Sequence, residues 1–191
     1  MLTCWRSRAR AAFTMVEILV ALAIIAILAA ILVPTVGSQL RQGKSTAVAN
    51  QLSNLRSSID AYRQNVVRFP LVLTVLTTLP GATAVDACGT VVPAANRALW
   101  RGPYLNDNIL GDFPVGDATI LNQLVRIPAA GAGAPGILEI LAINVDSTVA
   151  ADLEAQFDGT PIVAASYTTG TIQWTAAGLD TLKFLIPIRG C

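Results

Sequence analysis

Histidine is absent from this chain of 191 residues. The commonest catalytic base and metal ligand is missing, and with it any Ser-His or Cys-His pairing. Cysteine is scarce, at three, and charged residues make up only 13% of the chain, about half the usual share. Three of the 13 bases, Arg6, Arg8 and Arg10, fall within the first twelve residues, so the remainder is slightly acidic. It contains no basic run, which argues against nucleic acid as a partner. The glycine-rich stretch AAGAGAPG (129–136) lacks the Gly-Lys-Ser/Thr ending of a phosphate loop and reads as a surface loop. No catalytic constellation survives these absences, and an enzyme is not expected.

Apolar residues, at 53%, are plentiful, and their excess is local. Ile18 to Val36 carries no charge and one proline. At about 1.5 Å per residue this run matches the hydrocarbon thickness of a bilayer. The arginines before it hold the N-terminus in the cytoplasm by the positive-inside rule. A cleaved signal peptide has a shorter apolar core and a small-x-small cleavage site, whereas this run reads straight into more helix. An uncleaved signal anchor passes the same hydropathy test. Glu17 stands alone at the mouth of the run, and an unpaired carboxylate in hydrocarbon is costly.

Beyond the span, Val48, Leu52, Leu55, Ile59, Tyr62 and Val66 are spaced 4, 3, 4, 3 and 4, a heptad seam on an otherwise polar helix. One helix from about Thr14 to about Asn65 is expected, with its second half packed on the chain's own C-terminal domain. Pro34, Gly37 and Gly43 weaken its middle, and Pro34 predicts a kink or a locally unwound stretch. With the segment after the span outside the cytoplasm, Cys88 and Cys191 form an even pair in an oxidising compartment, and Cys4 stays reduced inside. Two unpaired small side chains remain the alternative.

The segment AAFTMVEILVALAIIAILAAILVP resembles the N-terminus of type IV pilins and of the pseudopilins of type II secretion. That family has a short basic leader, a cut before Phe or Met, Glu at the fifth mature position and Pro at the twenty-second. A cut between Ala12 and Phe13 puts Glu17 fifth and Pro34 twenty-second. The family normally has Gly before the cut, where this chain has Ala12. The resemblance implies removal of residues 1–12 by prepilin peptidase and N-methylation of Phe13 by the same enzyme. It also implies pairing of Glu17 with the new amine of Phe13 on a neighbouring subunit.

A second resemblance, to major pseudopilins, lies in IDAYRQNVVRFP (59–70) and in LWRGPYLNDNILGDFPVGD (99–117). Trp100, Gly102, Pro103, Tyr104 and Leu105 stand as their W-x-GPYL segment requires, while the acidic-Pro-Gly turn after it is shifted to Asp112–Gly116. Some major pseudopilins bind calcium through a C-terminal acidic loop. Here Asp146, Asp152, Asp158 and Asp180 are scattered, so neither a metal nor a cofactor is expected. In several pilins a C-terminal disulfide fastens the last strand, as a Cys88–Cys191 bridge would do here.

The expected fold class is α+β, a long N-terminal helix packed on a small antiparallel sheet of three to five strands. The expected parts are a leader (1–12), a transmembrane or filament-core helix (13–36), its amphipathic continuation (37–66) and a periplasmic globular domain (67–191). Within that domain 67–135 is loop-rich and 137–191 holds the sheet. Strands are expected at 137–145, 171–175 and 182–188, and a helix at 149–159 with a glycine stop. The expected function is that of a filament subunit, most like a type II secretion pseudopilin. Its partners are prepilin peptidase, other pilin subunits, an inner-membrane assembly platform and, before assembly, the membrane itself. A minor pilin of a type IV pilus and a signal-anchored periplasmic module that never polymerises are the alternatives.

Overall fold

The structure, a computed structural model, describes residues 14–106, 109–127, 136–159, 166–167, 170–176 and 178–189. The chain divides into two units, Met1–Leu40 and Arg41–Cys191. Helix α1 (Met15–Val66) contributes to both. Its backbone is helical through Pro34, Gly37 and Gly43, so the expected unwound stretch is not found. A proline inside a helix removes one backbone hydrogen bond, and the surrounding helical run tolerates that loss.

In the second unit the helix buries the seam that its spacing marks. Val48, Leu52, Leu55, Ile59, Tyr62 and Val66 are each no more than 2% exposed. Each such side chain contributes about 1.5–3 kcal/mol through the apolar area it removes from water. The helix ends with Val67 in the left-handed region at φ 59°, its N–H bonded to the Arg63 carbonyl. A β-branched residue is strained there.

Among the described residues the sheet has seven strands, all paired antiparallel: β1 (Phe113–Val115), β2 (Ala118–Ile120), β3 (Val125–Ile127), β4 (Gly136–Ile143), β5 (Ser166–Tyr167), β6 (Ile172–Thr175) and β7 (Thr181–Ile188). The order is β1-β2-β4-β7-β6-β5, and β3 joins β4 beside β2. Ile120 faces Ala142 near one end of β4, and Val125 faces Glu139 further along it. Period-2 alternation sends Leu138, Ile140 and Ala142 of β4, and Leu182, Phe184 and Ile186 of β7, into the core.

The expected count of three to five strands is too low. The segment 67–135, read as loops, supplies β1, β2 and β3, a 3-10 turn at Leu73–Leu76 and the short helix α2 (Ala94–Arg97). Three-residue strands are too short to show alternation, and they are fixed by pairing with distant residues. Helix α3 (Ser147–Phe157) fills the expected helical position. Asp146 caps it by accepting from the Thr148 N–H at 2.8 Å, and Gly159 leaves it at φ 75°.

Candidate functional site

The first unit presents its apolar side chains outward. Met15, Val16, Ile18, Leu19, Val20 and Leu22 are each about half exposed or more, and α1 is long and apolar enough to cross a membrane. Glu17 is exposed at the start of this surface. Its backbone N–H donates to the Thr14 hydroxyl at 3.3 Å and to the Thr14 carbonyl at 3.1 Å. Thr14 is therefore the N-cap and Glu17 the third helical residue, the Thr-x-x-Glu order of a capping box. Helix N-termini carry partial positive charge, so an acid in the first turn is favoured there. Thr14 is not among the expected site residues, although Thr-x-x-Glu marks it in the sequence. Ala12 and Phe13, the expected cleavage site and methylation position, lie outside the described residues.

The WRGPYL segment wedges against the far half of α1. Trp100 donates its indole N–H to the Val75 carbonyl at 3.0 Å. The Tyr104 ring meets Tyr62 and Trp100 edge-on, with centroids 5.9 and 5.8 Å apart. Ser58 on the helix donates to the Tyr104 carbonyl at 2.9 Å, and Asn65 to its hydroxyl at 3.2 Å. A methyl group at Gly102 would overlap the Trp100 ring, so only glycine lets the loop fold back here. Tyr62, buried in this contact, has its hydroxyl pKa pushed up to about 12 by burial and by Tyr104 and Asp86. The segment's residues thus serve packing rather than chemistry. The expected acidic turn after it is built differently. Phe113–Val115 forms β1, and the chain turns at Gly116 (φ 63°) and Asp117.

Cys88 is disulfide-bonded. Its loop is held by Asp86, whose buried carboxylate accepts from the Cys88 and Thr90 N–H groups at 2.9 Å and pairs with Arg68 at 3.2 Å. Cys191 lies outside the described residues.

A pair of acids, buried Glu154 and half-buried Asp158, joins α3 to β6. Burial opposes charge on Asp158, but the N–H groups of Ile172 and Thr171 outweigh it and hold the carboxyl below the usual range. Glu154, one turn earlier and almost fully buried, is pushed the other way by burial and by the Asp158 charge. Among the described residues no group of three or more potential ligands could hold a metal ion.

Residues 7–33 match the family model described as the prokaryotic N-terminal methylation motif. No curated protein and no solved structure matches the chain. The matched segment spans the Ala12–Phe13 bond, Thr14, Glu17 and most of the apolar run, about one-seventh of the sequence. Such a motif implies processing by a prepilin peptidase and assembly with other pilins, and it suggests a structural subunit rather than an enzyme. With the apolar helix it fits a membrane-anchored, type IV pilin-like protein.

Proposed function

We propose that the chain is a structural subunit of a type IV pilin-like filament, and within that class a pseudopilin of a type II secretion system. The observation that carries the class is the capped first turn of α1, which sets Glu17 beside an outward-facing apolar surface inside the methylation motif. The pseudopilin assignment rests on the W-x-GPYL segment at residues 100–105.

In this mechanism prepilin peptidase cuts between Ala12 and Phe13 and methylates Phe13. The subunit is held in the inner membrane by α1, with its C-terminal domain in the periplasm, until an assembly platform extracts it. In the filament, apolar helix surfaces trade lipid for one another. Glu17 then neutralises the amine of Phe13 on a neighbouring copy, which removes the cost of an unpaired buried charge. Pro34 is the position at which the rod bends, and Cys88 pairs with Cys191 across the periplasmic domain.

Mass spectrometry of the membrane-extracted protein tests the reading. A mature N-terminus at Phe13 carrying one methyl group is expected, and an intact Met1 would sink it. The cysteine pairing has its own test. Cys88→Ser and Cys191→Ser should each cost about 2–4 kcal/mol and no more when combined, while additive losses would break the pairing.

A further inference from the structure

The arginines of the second unit are scattered in sequence, but the fold gathers them at one end. Arg63, near the end of α1, donates to the Arg189 carbonyl at 3.3 Å. Arg189 follows Ile188, which faces Gly136 in the sheet, and the Arg126 guanidinium lies against Gly136. Arg63, Arg126 and Arg189 therefore stand at the same end of the unit. Arg97 and Arg101 reach the same end of the helix through neighbouring contacts, Asn96 to the Val66 carbonyl at 2.8 Å and the Arg101 N–H to the Tyr104 hydroxyl at 2.8 Å. Among the described residues none of these five arginines has an acid within ion-pair distance. The Nε atoms of Arg97 and Arg126 are buried and have no acceptor among the described residues. Guanidinium groups favour bidentate pairing with carboxylates, so this end is short of acids.

The opposite end has the reverse imbalance. Lys44, near the start of the seam, pairs with Asp117 in the β1–β2 turn, and Arg41 with Asp152 of α3 at 3.9 Å. Asp146 feels Lys44 as well. Asp180 is tied to this corner by the Val145 N–H donating to its carbonyl at 3.1 Å. Four acids thus meet two bases. Asp60, on the helix between the ends, belongs to neither cluster.

We propose that the basic end and the acidic end are the two halves of a contact between successive copies of this chain, a contact that rests on the filament reading above. The partner of the Arg63–Arg126–Arg189 end is the Asp117–Asp152–Asp180 end of a second copy. Opposite charges on opposite ends make a heterologous, head-to-tail contact, which leaves a free half at each end and so propagates instead of closing. Complementary charge also fixes register and rejects the head-to-head alternative.

The test uses two full-length variants expressed with a prepilin peptidase and an assembly platform. One carries Arg63→Glu, Arg101→Glu and Arg189→Glu, which leaves two arginines against three glutamates there and makes both ends acidic; the other carries Asp117→Lys and Asp152→Lys, so both ends are basic. Each alone is expected to lower recovered filaments by about tenfold or more. Co-expression should restore them, because the two forms are complementary, and a folding defect could not be rescued in this way. Either variant assembling like the unaltered chain, or a mixture that fails to recover, overturns the proposal. So does a basic-end variant that keeps its filaments but loses binding to single-stranded DNA, since that end would then serve a polyanion. Processing at Phe13 and filament formation by the unaltered chain are scored in the same cultures. Their absence sinks the filament reading as well, whereas their presence beside indifferent variants sinks only this one.

Discussion

Residues 15–40 and 41–66 of α1 share one backbone conformation, yet their apolar side chains have opposite fates. Among the described side chains those of the first stretch point outward and stay exposed; in the second they fall on one seam and vanish into the chain's own core. A continuous apolar surface cannot be satisfied by a small domain on one side of a helix, so the first stretch needs lipid or other helices. A single stripe needs only one partner, and the sheet provides it. The helix is one object to the backbone and two to its surroundings.

Removing the acid at the head of the exposed stretch should break this contrast most severely. On the proposed pairing, Glu17→Ala would leave a neighbour's amine unpaired in an apolar setting, a loss of about 3–5 kcal/mol for a broken buried pair. Filament recovery should fall at least about a hundredfold, with the unfolding transition of the C-terminal domain unchanged. Matched truncations in the two stretches come next. Ile59→Ala should cost about 2–5 kcal/mol of domain stability in urea titrations. Leu22→Ala, cut from the exposed surface, should stay within about 0.5 kcal/mol. Equal losses would abolish the distinction.

A smaller effect concerns pH. The Glu154 pKa is raised above its ordinary 4.5, so the folded state holds that proton longer. Its stabilising contribution is full below 4.5 and is lost as pH rises through the raised value. Asp158, held low, works in the other sense, and its contribution fades as pH falls through its depressed value. Glu154→Gln keeps a donor toward Asp158 without a charge to bury. Its urea midpoint should climb relative to the unaltered protein as pH rises from about 4 to about 8, and parallel curves would refute the assignment. Least of all, Lys44→Ala removes a partly exposed pair with Asp117 and should cost no more than about 1 kcal/mol in thermal unfolding.

How far the sequence could be read depended on whether the cause was local. The seam from Val48 to Val66 showed because a heptad spacing is written within a few turns. The β4, β6 and β7 segments showed because each is a bounded apolar run. Strands β1 to β3 did not, since Phe113–Val115, Ala118–Ile120 and Val125–Ile127 are fixed by pairing with each other and with β4. At the candidate site, Glu17 stood out by its charge. The Thr14 cap was legible as Thr-x-x-Glu but is not among the expected site residues. The gathering of Arg63, Arg126 and Arg189 could not be read at all, because sequence distance hides what the sheet brings together.

The glycines at 37 and 43 have a mechanical consequence. Open space surrounds both positions, and a methyl group would fit at either, so packing does not demand them. Each costs a helix about 1 kcal/mol relative to alanine, and a proline such as Pro34 about 3. The ten residues from Pro34 to Gly43 are therefore the cheapest part of the rod to pull straight. Extending them from about 1.5 to about 3.3 Å per residue would add about 18 Å of length. Under tension this stretch would yield as a fuse, lengthening before the first buried seam residue, Val48, came under load.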